Sequence, residues 1–349
     1  MGVVGGNGNV RVDPDIKPIE GYVIPPTSTI ISLVCFICTS IYYFPTISTS
    51  SSSEEEDGDN ISTLNMFTTR VYPTVISVRT LLCIRLFFAF IGFVGFISAW
   101  YTPTVTIHTP YLATSRVPRI PFELTHFKKA YYPFTCWSWN ILTIHYMLNC
   151  YMIYTSIIYG DAASSKVPTI IQTLAIVTWE ISAPMTLLIG VVVKYALWPA
   201  RMKEAGTGDI FMKPRALLTH NANVIMVMID VCFVGGCGIP FELSHFPIVV
   251  LYGCSYVLFT YAIQLTWHEN NKKQRYPAFL YFFMDPTIGY KHTIALYILL
   301  FVLTFFYILF VGIEELLQGH YHITFFFRTI YGRIIFGFTI CCFVCRFRD

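Results

Sequence analysis

The chain has 349 residues, of which 55% are hydrophobic and 12% are charged, whereas a soluble domain has about 25% charged residues. The low charge and the mean hydropathy of +0.58 exclude a disordered chain, a coiled coil and an ordinary cytosolic enzyme. They favour a multi-pass membrane protein. The net charge of +3 is too small to indicate nucleic-acid binding. The 11 cysteines lie mostly in apolar runs, so we interpret them as small hydrophobes rather than disulfides or metal ligands.

Several stretches of the sequence are long and apolar enough to cross a membrane. A helix needs about 20 apolar residues to cross a hydrocarbon layer of about 30 Å. The first stretch is short and rich in Ser and Thr, so a signal anchor competes with a span, and a further run at 334–345 is either a span or an interfacial tail. The predicted fold is an all-α bundle of about seven spans, with six to eight as the range, at residues 28–45, 81–101, 134–158, 168–197, 217–239, 246–267 and 293–317.

Basic residues in the short loops predict the orientation of the bundle. The loops at 102–133, 199–216 and 268–292 each carry four Lys or Arg residues, whereas the loops between them carry one or none. Because basic loops stay cytosolic during insertion, we expect these three loops and the N-terminus in the cytosol. The sequon at Asn60 then falls on the lumenal side. The predicted organisation is a cytosolic leader at 1–27, the first span or anchor at 28–45, an acidic, Ser-rich lumenal linker at 46–76, a six-span core at 77–317 and a tail at 318–349.

Polar residues recur at helical spacing in the third and fifth spans. Thr135 opens a stripe that continues to Asn149, and His220 opens another that continues to Asp230. Odd-numbered spans run in the same direction, so Thr135 and His220 lie in the first turns at one membrane face. A hydroxyl and an imidazole at the same depth are the minimal nucleophile and base pair. The alternative is that Thr135 caps its helix and His220 is an interfacial hydrogen-bonding residue.

A second group of polar residues is predicted near the middle of the membrane. Helix rise places Glu180, His145 and Asp230 roughly 16 to 20 Å from the ends of their spans. Such an intramembrane polar cluster suits either a proton or ion relay or a structural network that locks helices together. Arg85 and Lys194 lie nearer helix ends, where we expect them to extend towards the interface.

The chain resembles a known membrane family over about residues 77–317. The similarity is carried by SVRTLLCIRLFFAFIGF, YYPFTCWSWNILTIHYML, VTWEISAPMTLLIGVVVKYALWP, LLTHNANVIMVMIDVCF, HFPIVVLYGCSYVLFTY and YFFMDPTIGYKHTIALY, in that order. These runs resemble the family that includes the androgen-induced proteins and the fly protein rolling stone. The first span, the acidic linker and the tail after residue 317 have no counterpart in it.

The androgen-induced branch hydrolyses fatty acid esters of hydroxy fatty acids with a membrane-embedded threonine and histidine. Thr135 in the Y-x-x-F-T-x-W context and His220 in H-x-x-N match those two positions. The resemblance implies that Thr135 attacks the ester and that His220 acts as base and then acid. Asn221, Asn223 or Asn140 are chemically suited to donate to the oxyanion. No metal or organic cofactor is needed.

Two other functions stay open at this point. The motif YPFTCWSW is more similar to the rolling stone branch, which is associated with myoblast fusion. The alternative function is therefore that of a non-enzymatic membrane interaction or signalling protein. A third is a transporter that uses the mid-membrane carboxylates. The expected partners are membrane lipids and a lipid ester substrate, with no nucleic acid. The expected location is the endoplasmic reticulum, another endomembrane or the plasma membrane, and the oligomeric state is left open.

Overall fold

The computed structural model describes the chain in several segments. They are residues 18–45, 67–101, 103–107, 109, 111–118, 120, 122–197, 214–235, 241–266, 276–318 and 325–345. Residues 1–17 of the predicted leader, residues 46–66 of the predicted acidic linker and residues 236–239 of the fifth predicted span lie outside the described residues.

The described residues form an all-α bundle of apolar helices, as predicted, and the protein is membrane-embedded. In chain order the helices are α1 (Thr27–Tyr42), α2 (Val78–Tyr101), α3 (Phe134–Tyr159), α4 (Thr169–Tyr195), α5 (Pro214–Val234), α6 (Leu243–Ala262), α7 (Tyr290–Leu317) and α8 (Ile330–Val344). The six helices from α2 to α7 are long and apolar enough to cross a membrane. At a rise of about 1.5 Å per residue, α1 and α8 measure only about 24 and 22 Å.

Prolines and a glycine fix the ends of the central helices. α3 begins directly after Pro133 and α4 directly after Pro168, where the missing N–H of proline costs no helical hydrogen bond. Gly160 ends α3 with a φ of 53°, a conformation that glycine adopts without a steric penalty. The chain therefore turns sharply between α3 and α4 and brings the two helices side by side.

α4 lies at the centre of the bundle. In the most apolar 18-residue stretch of α4, 78% of the residues are buried, whereas 28% are buried in the corresponding stretch of α2 and of α7. Trp179 on α4 is completely buried and stacks on His145 of α3 at 4.8 Å between ring centroids. The outer faces of α2 and α7 are exposed and rich in large apolar side chains, which suits contact with lipid.

α2 and α3 approach closely because α2 carries glycines at the contact. A Cβ atom on Gly92 would lie 2.3 Å from the Thr143 hydroxyl, and one on Gly95 would lie 2.6 Å from the Trp139 ring. The Trp139 indole N–H donates to the carbonyl oxygen of Gly92 at 2.8 Å. Small residues thus allow the two backbones to meet, as is common in membrane bundles.

The described ends of the three basic loops, near Lys128, Arg215 and Thr266, lie together at one face, which we call the basic face. The strands β1 (Val105–Ile107) and β2 (Phe122–Leu124) form an antiparallel pair there, followed by a short helix, His126–Tyr131. The Lys128 ammonium donates to Thr266 O at 2.7 Å, and the Arg215 guanidinium donates to Lys129 O at 2.7 Å. These bonds join the segment before α3 to the start of α5 and the end of α6.

Buried polar residues link separate segments of the chain at the basic face. The Tyr111 hydroxyl accepts from the Phe279 N–H at 2.7 Å and donates to the Phe279 carbonyl at 2.9 Å. Ser115 donates to the Asp285 carboxylate, which also accepts from the Thr287 N–H at 2.8 Å. Burial raises the pKa of Asp285 above its usual value, although the bonds from Ser115 and Thr287 oppose that shift.

α8 extends along the bundle between its two faces. Near its start, Arg333 donates to Leu317 O at 2.6 Å, at the end of α7 away from the basic face. At its other end, Cys342 O and Phe343 O accept from Lys194 at 2.7 and 2.8 Å, where α4 reaches the basic face. The Lys194 ammonium thus binds the last carbonyls of α8, which have no partner within the helix.

Candidate functional site

Thr135 lies at the wall of an apolar cavity inside the bundle. It is the second residue of α3 and is half-buried. The cavity has a volume of about 140 Å³ and is lined by α1, α3, α4, α6, α7 and the segment 281–284. Its lining is almost entirely aliphatic and aromatic, and the Tyr256 hydroxyl donates to Tyr132 O at 2.9 Å. Thr135 is therefore one of the few residues with a polar side chain beside an apolar space of the kind that holds hydrocarbon.

His220 lies on α5, which contacts α3 at the basic face. It falls in a π-helical turn, Leu218–Ala222, a departure from regular helix that is frequent at functional sites. The Arg215 guanidinium, one turn earlier, is 3.7 Å from the Cys136 sulfur as well as bonded to Lys129 O. The first turns of α3 and α5 are thus in contact at the same face of the bundle.

The structure does not join Thr135 directly to His220. Among the described residues, no hydrogen bond links the Thr135 hydroxyl to the His220 ring, and His220 is not among the residues that line the cavity. Catalytic hydrogen bonds are often long or poorly aligned in enzymes without substrate and tighten when substrate binds.

The three asparagines considered as oxyanion donors differ in what their amide groups do. The Asn140 amide donates to Ala130 O at 3.3 Å. The backbone carbonyl of Asn221 accepts from the Cys345 thiol at 3.7 Å. Asn223 is 1% exposed, and its side-chain oxygen accepts from the Val224 N–H at 2.8 Å, while its amide N–H₂ has no hydrogen-bond partner among the described residues. Asn223 therefore offers a buried donor three residues after His220.

The predicted mid-membrane residues are held by different partners. The Asp230 carboxylate pairs with Arg85 at 3.2 Å, and the Glu180 carboxylate pairs with His245 at 2.6 Å. The His145 ring binds Ala175 O at 3.0 Å and the Asn149 amide at 2.7 Å. Each of these three residues thus ties its own helix to a neighbouring residue or helix rather than sharing one site.

Arg85 corrects one expectation from the sequence. It is fully buried, donates to Phe67 O at 2.9 Å and pairs with Asp230, so it does not extend to the interface. A buried guanidinium is stable there because the carboxylate neutralises it and the carbonyl accepts another of its N–H groups.

His245 is a functional candidate that sequence reasoning did not single out. It lies at the start of α6, and its ring is also 3.8 Å from the Glu242 carboxylate. The signal was available in principle, because His245 and Glu180 are both ionisable groups in apolar segments. Their distance of 65 residues in the chain hides the pair.

Comparisons with known proteins give no match that bears on the site. No family model, no curated protein and no solved structure matches it. Among the described residues, no group of three His, Cys, Asp or Glu side chains is placed to hold a metal ion. The site is thus defined by its own geometry: a hydroxyl on an apolar cavity, a histidine on the next helix and a buried amide donor near that histidine.

Proposed function

We propose that the protein hydrolyses lipid esters inside the membrane, with Thr135 as nucleophile and His220 as base. The observation that carries the proposal is the position of Thr135 in the lining of an apolar cavity between membrane helices. Fatty acid esters of hydroxy fatty acids are the substrate class that the family resemblance suggests. An acyl chain suits an apolar cavity, and the ester group then meets the hydroxyl at its wall.

The proposed reaction has two stages. His220 removes the Thr135 proton while the threonine oxygen attacks the ester carbonyl carbon, and the Asn223 amide donates to the resulting oxyanion. The ester C–O bond then breaks, and His220 returns the proton to the departing alcohol. Water attacks the acyl-threonine in the second stage, again with His220 as base, and releases the fatty acid and the free hydroxyl of Thr135.

Substrate binding has to bring the two side chains together. The π-helical turn that carries His220 and the contact between the first turns of α3 and α5 support such a rearrangement over a short distance. A water molecule between hydroxyl and imidazole would serve the same purpose.

A fluorophosphonate probe tests this proposal. It should label the wild type on Thr135, and labelling should disappear in Thr135→Ala and fall about a hundredfold or more in His220→Ala, the usual contribution of a general base. Thr155→Ala is a matched control, because Thr155 is on the same helix and its hydroxyl donates only locally, to Tyr151 O at 2.8 Å. Labelling that survives Thr135→Ala refutes the proposed nucleophile.

A second candidate is a non-enzymatic membrane interaction or signalling protein like rolling stone. The observation that favours it is that Asp230 and Glu180 both bind partners within the bundle, as expected of residues that lock helices together. The same pairing weakens the transporter reading, which needs mid-membrane carboxylates along a hydrated path. An unlabelled wild type that also leaves lipid esters intact would support the interaction protein.

We propose an orientation with the basic face and the N-terminus in the cytosol, in the endoplasmic reticulum, another endomembrane or the plasma membrane. The contacts between the described ends of the three basic loops, near Lys128, Arg215 and Thr266, support it. Asn60 lies outside the described residues and provides the test. Glycosylation at Asn60 that is lost in Asn60→Gln is expected, whereas modification of a sequon introduced into the 268–292 loop would refute the orientation.

A further inference from the structure

One side of the Thr135 cavity is closed by α1. Leu33 and Phe36 of this helix line the cavity, opposite residues of α3 and α4, and α1 packs on α6 and α7. The other walls belong to the long membrane helices and to the segment 281–284. α1 is thus the shortest helix of the wall, at 16 residues.

α1 is attached mainly through its first two turns. Just before it, the Val23 N–H donates to the Gln264 side-chain oxygen at 2.9 Å. The hydroxyls of Ser28 and Thr29 lie 2.8 and 2.9 Å from the Thr293 hydroxyl on α7. The last of these polar contacts is a bond from Ser32 to the Tyr297 hydroxyl at 3.2 Å.

The second half of α1 is held less firmly. Phe36 packs edge-to-face on Tyr297 with ring centroids 5.3 Å apart. Beyond Phe36, Cys38, Thr39 and Ile41 are exposed, although Ser40 is buried. Local opening is easiest where few groups are buried within the protein, which in α1 is its second half.

The cavity is too small for the whole of a long hydrocarbon chain. Its volume of about 140 Å³ is close to that of an engineered protein cavity of about 150 Å³ that binds benzene. A small apolar group fits with α1 in place. A fatty acyl chain of ordinary membrane length needs more room, and displacement of α1, whose second half is largely exposed, would supply it.

We propose that α1 is the movable side wall of the cavity and that Phe36 limits the length of the hydrocarbon chain it accepts. The chain is that of a membrane lipid or fatty acid, which reaches the cavity sideways from the bilayer. The inference rests on the proposed function for the chemistry at Thr135. Chain binding itself does not require hydrolysis, so the two can fail separately.

Photoreactive diazirine analogues of hexanoic and palmitic acid provide the test, with the full chain in phosphatidylcholine vesicles. Phe36→Ala should raise the ratio of palmitic to hexanoic labelling by about fourfold or more. Fourfold is the gain in affinity expected when one further methylene of the chain is buried. Thr293→Val removes the hydroxyl that holds Ser28 and Thr29 without touching the cavity lining. It should raise the same ratio, so the test does not depend on one variant folding.

Gly253 offers a variant that fills the cavity. It lines the cavity from α6, and a Cβ atom there would meet its nearest neighbour, Leu303, only at 3.6 Å. Gly253→Leu should reduce labelling by both probes severalfold. Two matched controls should change neither probe: Gly312→Leu, where a Cβ meets nothing within 4 Å, and Val34→Ala, an α1 residue that is 53% exposed.

Two results would overturn the inference. If Gly253→Leu reduces labelling while Phe36→Ala and Thr293→Val leave the palmitic-to-hexanoic ratio unchanged, the cavity binds chains but α1 does not limit them. If Gly253→Leu leaves labelling unchanged, the cavity is not the chain site. If the ratio shifts as expected while Thr135→Ala retains ester hydrolysis, the inference on α1 stands and the hydrolase proposal fails.

Discussion

Removal of the Asp230 carboxylate should destabilise the protein strongly. Arg85 and Asp230 are both completely buried, and the guanidinium nitrogen lies 3.2 Å from the carboxylate oxygen. In Asp230→Ala the guanidinium charge stays in the interior without its counter-ion, because Arg85 does not change its charge at accessible pH. The variant therefore still has to bury the guanidinium charge, but it lacks the attraction to the carboxylate that offsets this cost.

The magnitude follows from the distance. Two unit charges 3.2 Å apart attract by about 5 kcal/mol at an effective dielectric constant of about 20. Breaking a buried ion pair by removing one partner costs about 3–5 kcal/mol in measured cases. We expect Asp230→Ala to lower the free energy of unfolding by that amount. In the double variant Arg85→Leu, Asp230→Leu most of the loss should be recovered, since no buried charge is left alone.

Thermal and denaturant unfolding in detergent micelles, followed by tryptophan fluorescence, measures the effect. Arg79→Leu serves as the control, because Arg79 is an exposed arginine on the same helix and its replacement should change stability by less than about 0.5 kcal/mol. The reasoning is wrong if Asp230→Ala is as stable as the wild type, or if the double variant is no more stable than the single one.

Three further expectations concern packing, the end of α8 and pH. Gly92→Ala brings a Cβ atom within 2.3 Å of the Thr143 hydroxyl and should cost about 1–3 kcal/mol of stability, whereas Gly312→Ala, with nothing within 4 Å, should leave the unfolding temperature unchanged. Lys194→Met frees the last carbonyls of α8, so amide hydrogen exchange over residues 341–345 should become faster while α3 keeps its protection. Burial raises the pKa of folded Asp285 above the unfolded value of about 3.9, so its contribution to stability is present below pH 4 and is lost as pH rises through the raised pKa. Between about pH 4 and the raised pKa, the unfolding temperature of the Asp285→Asn variant should depend less on pH than that of the wild type. An unchanged pH profile would show that Asp285 does not cause the pH dependence.

The sequence predicts the helices of this protein well, because hydropathy and helix length reflect the bilayer alone. α2, α3 and α4 begin and end within three residues of the predicted spans. Proline and glycine explain those ends locally, as at Pro133 and Gly160. The sequence could also predict that the first turns of α3 and α5 lie at one level, because the two helices run in the same direction.

Partners across the bundle could not be predicted from the sequence. Arg85 and Asp230 are 145 residues apart, and neither spacing nor periodicity indicates that they meet. The Thr135 cavity is equally hidden, because six separate parts of the chain build its walls. The predicted helix ends indicate how deep each residue lies in the membrane, but not how each helix is rotated about its axis. The sequence could therefore place Thr135 and His220 at one level without showing which way either side chain points.

The docking of α8 has a consequence for biosynthesis. α8 packs on α5 and α4, and its Gly337 lies so close to Cys232 that a Cβ atom there would be 3.2 Å from the sulfur. α8 follows α5 by about a hundred residues in the chain, so this surface of α5 is synthesised well before the helix that covers it. Nascent chains stalled before residue 330 leave the surface bare and should accumulate with chaperones at the insertion machinery.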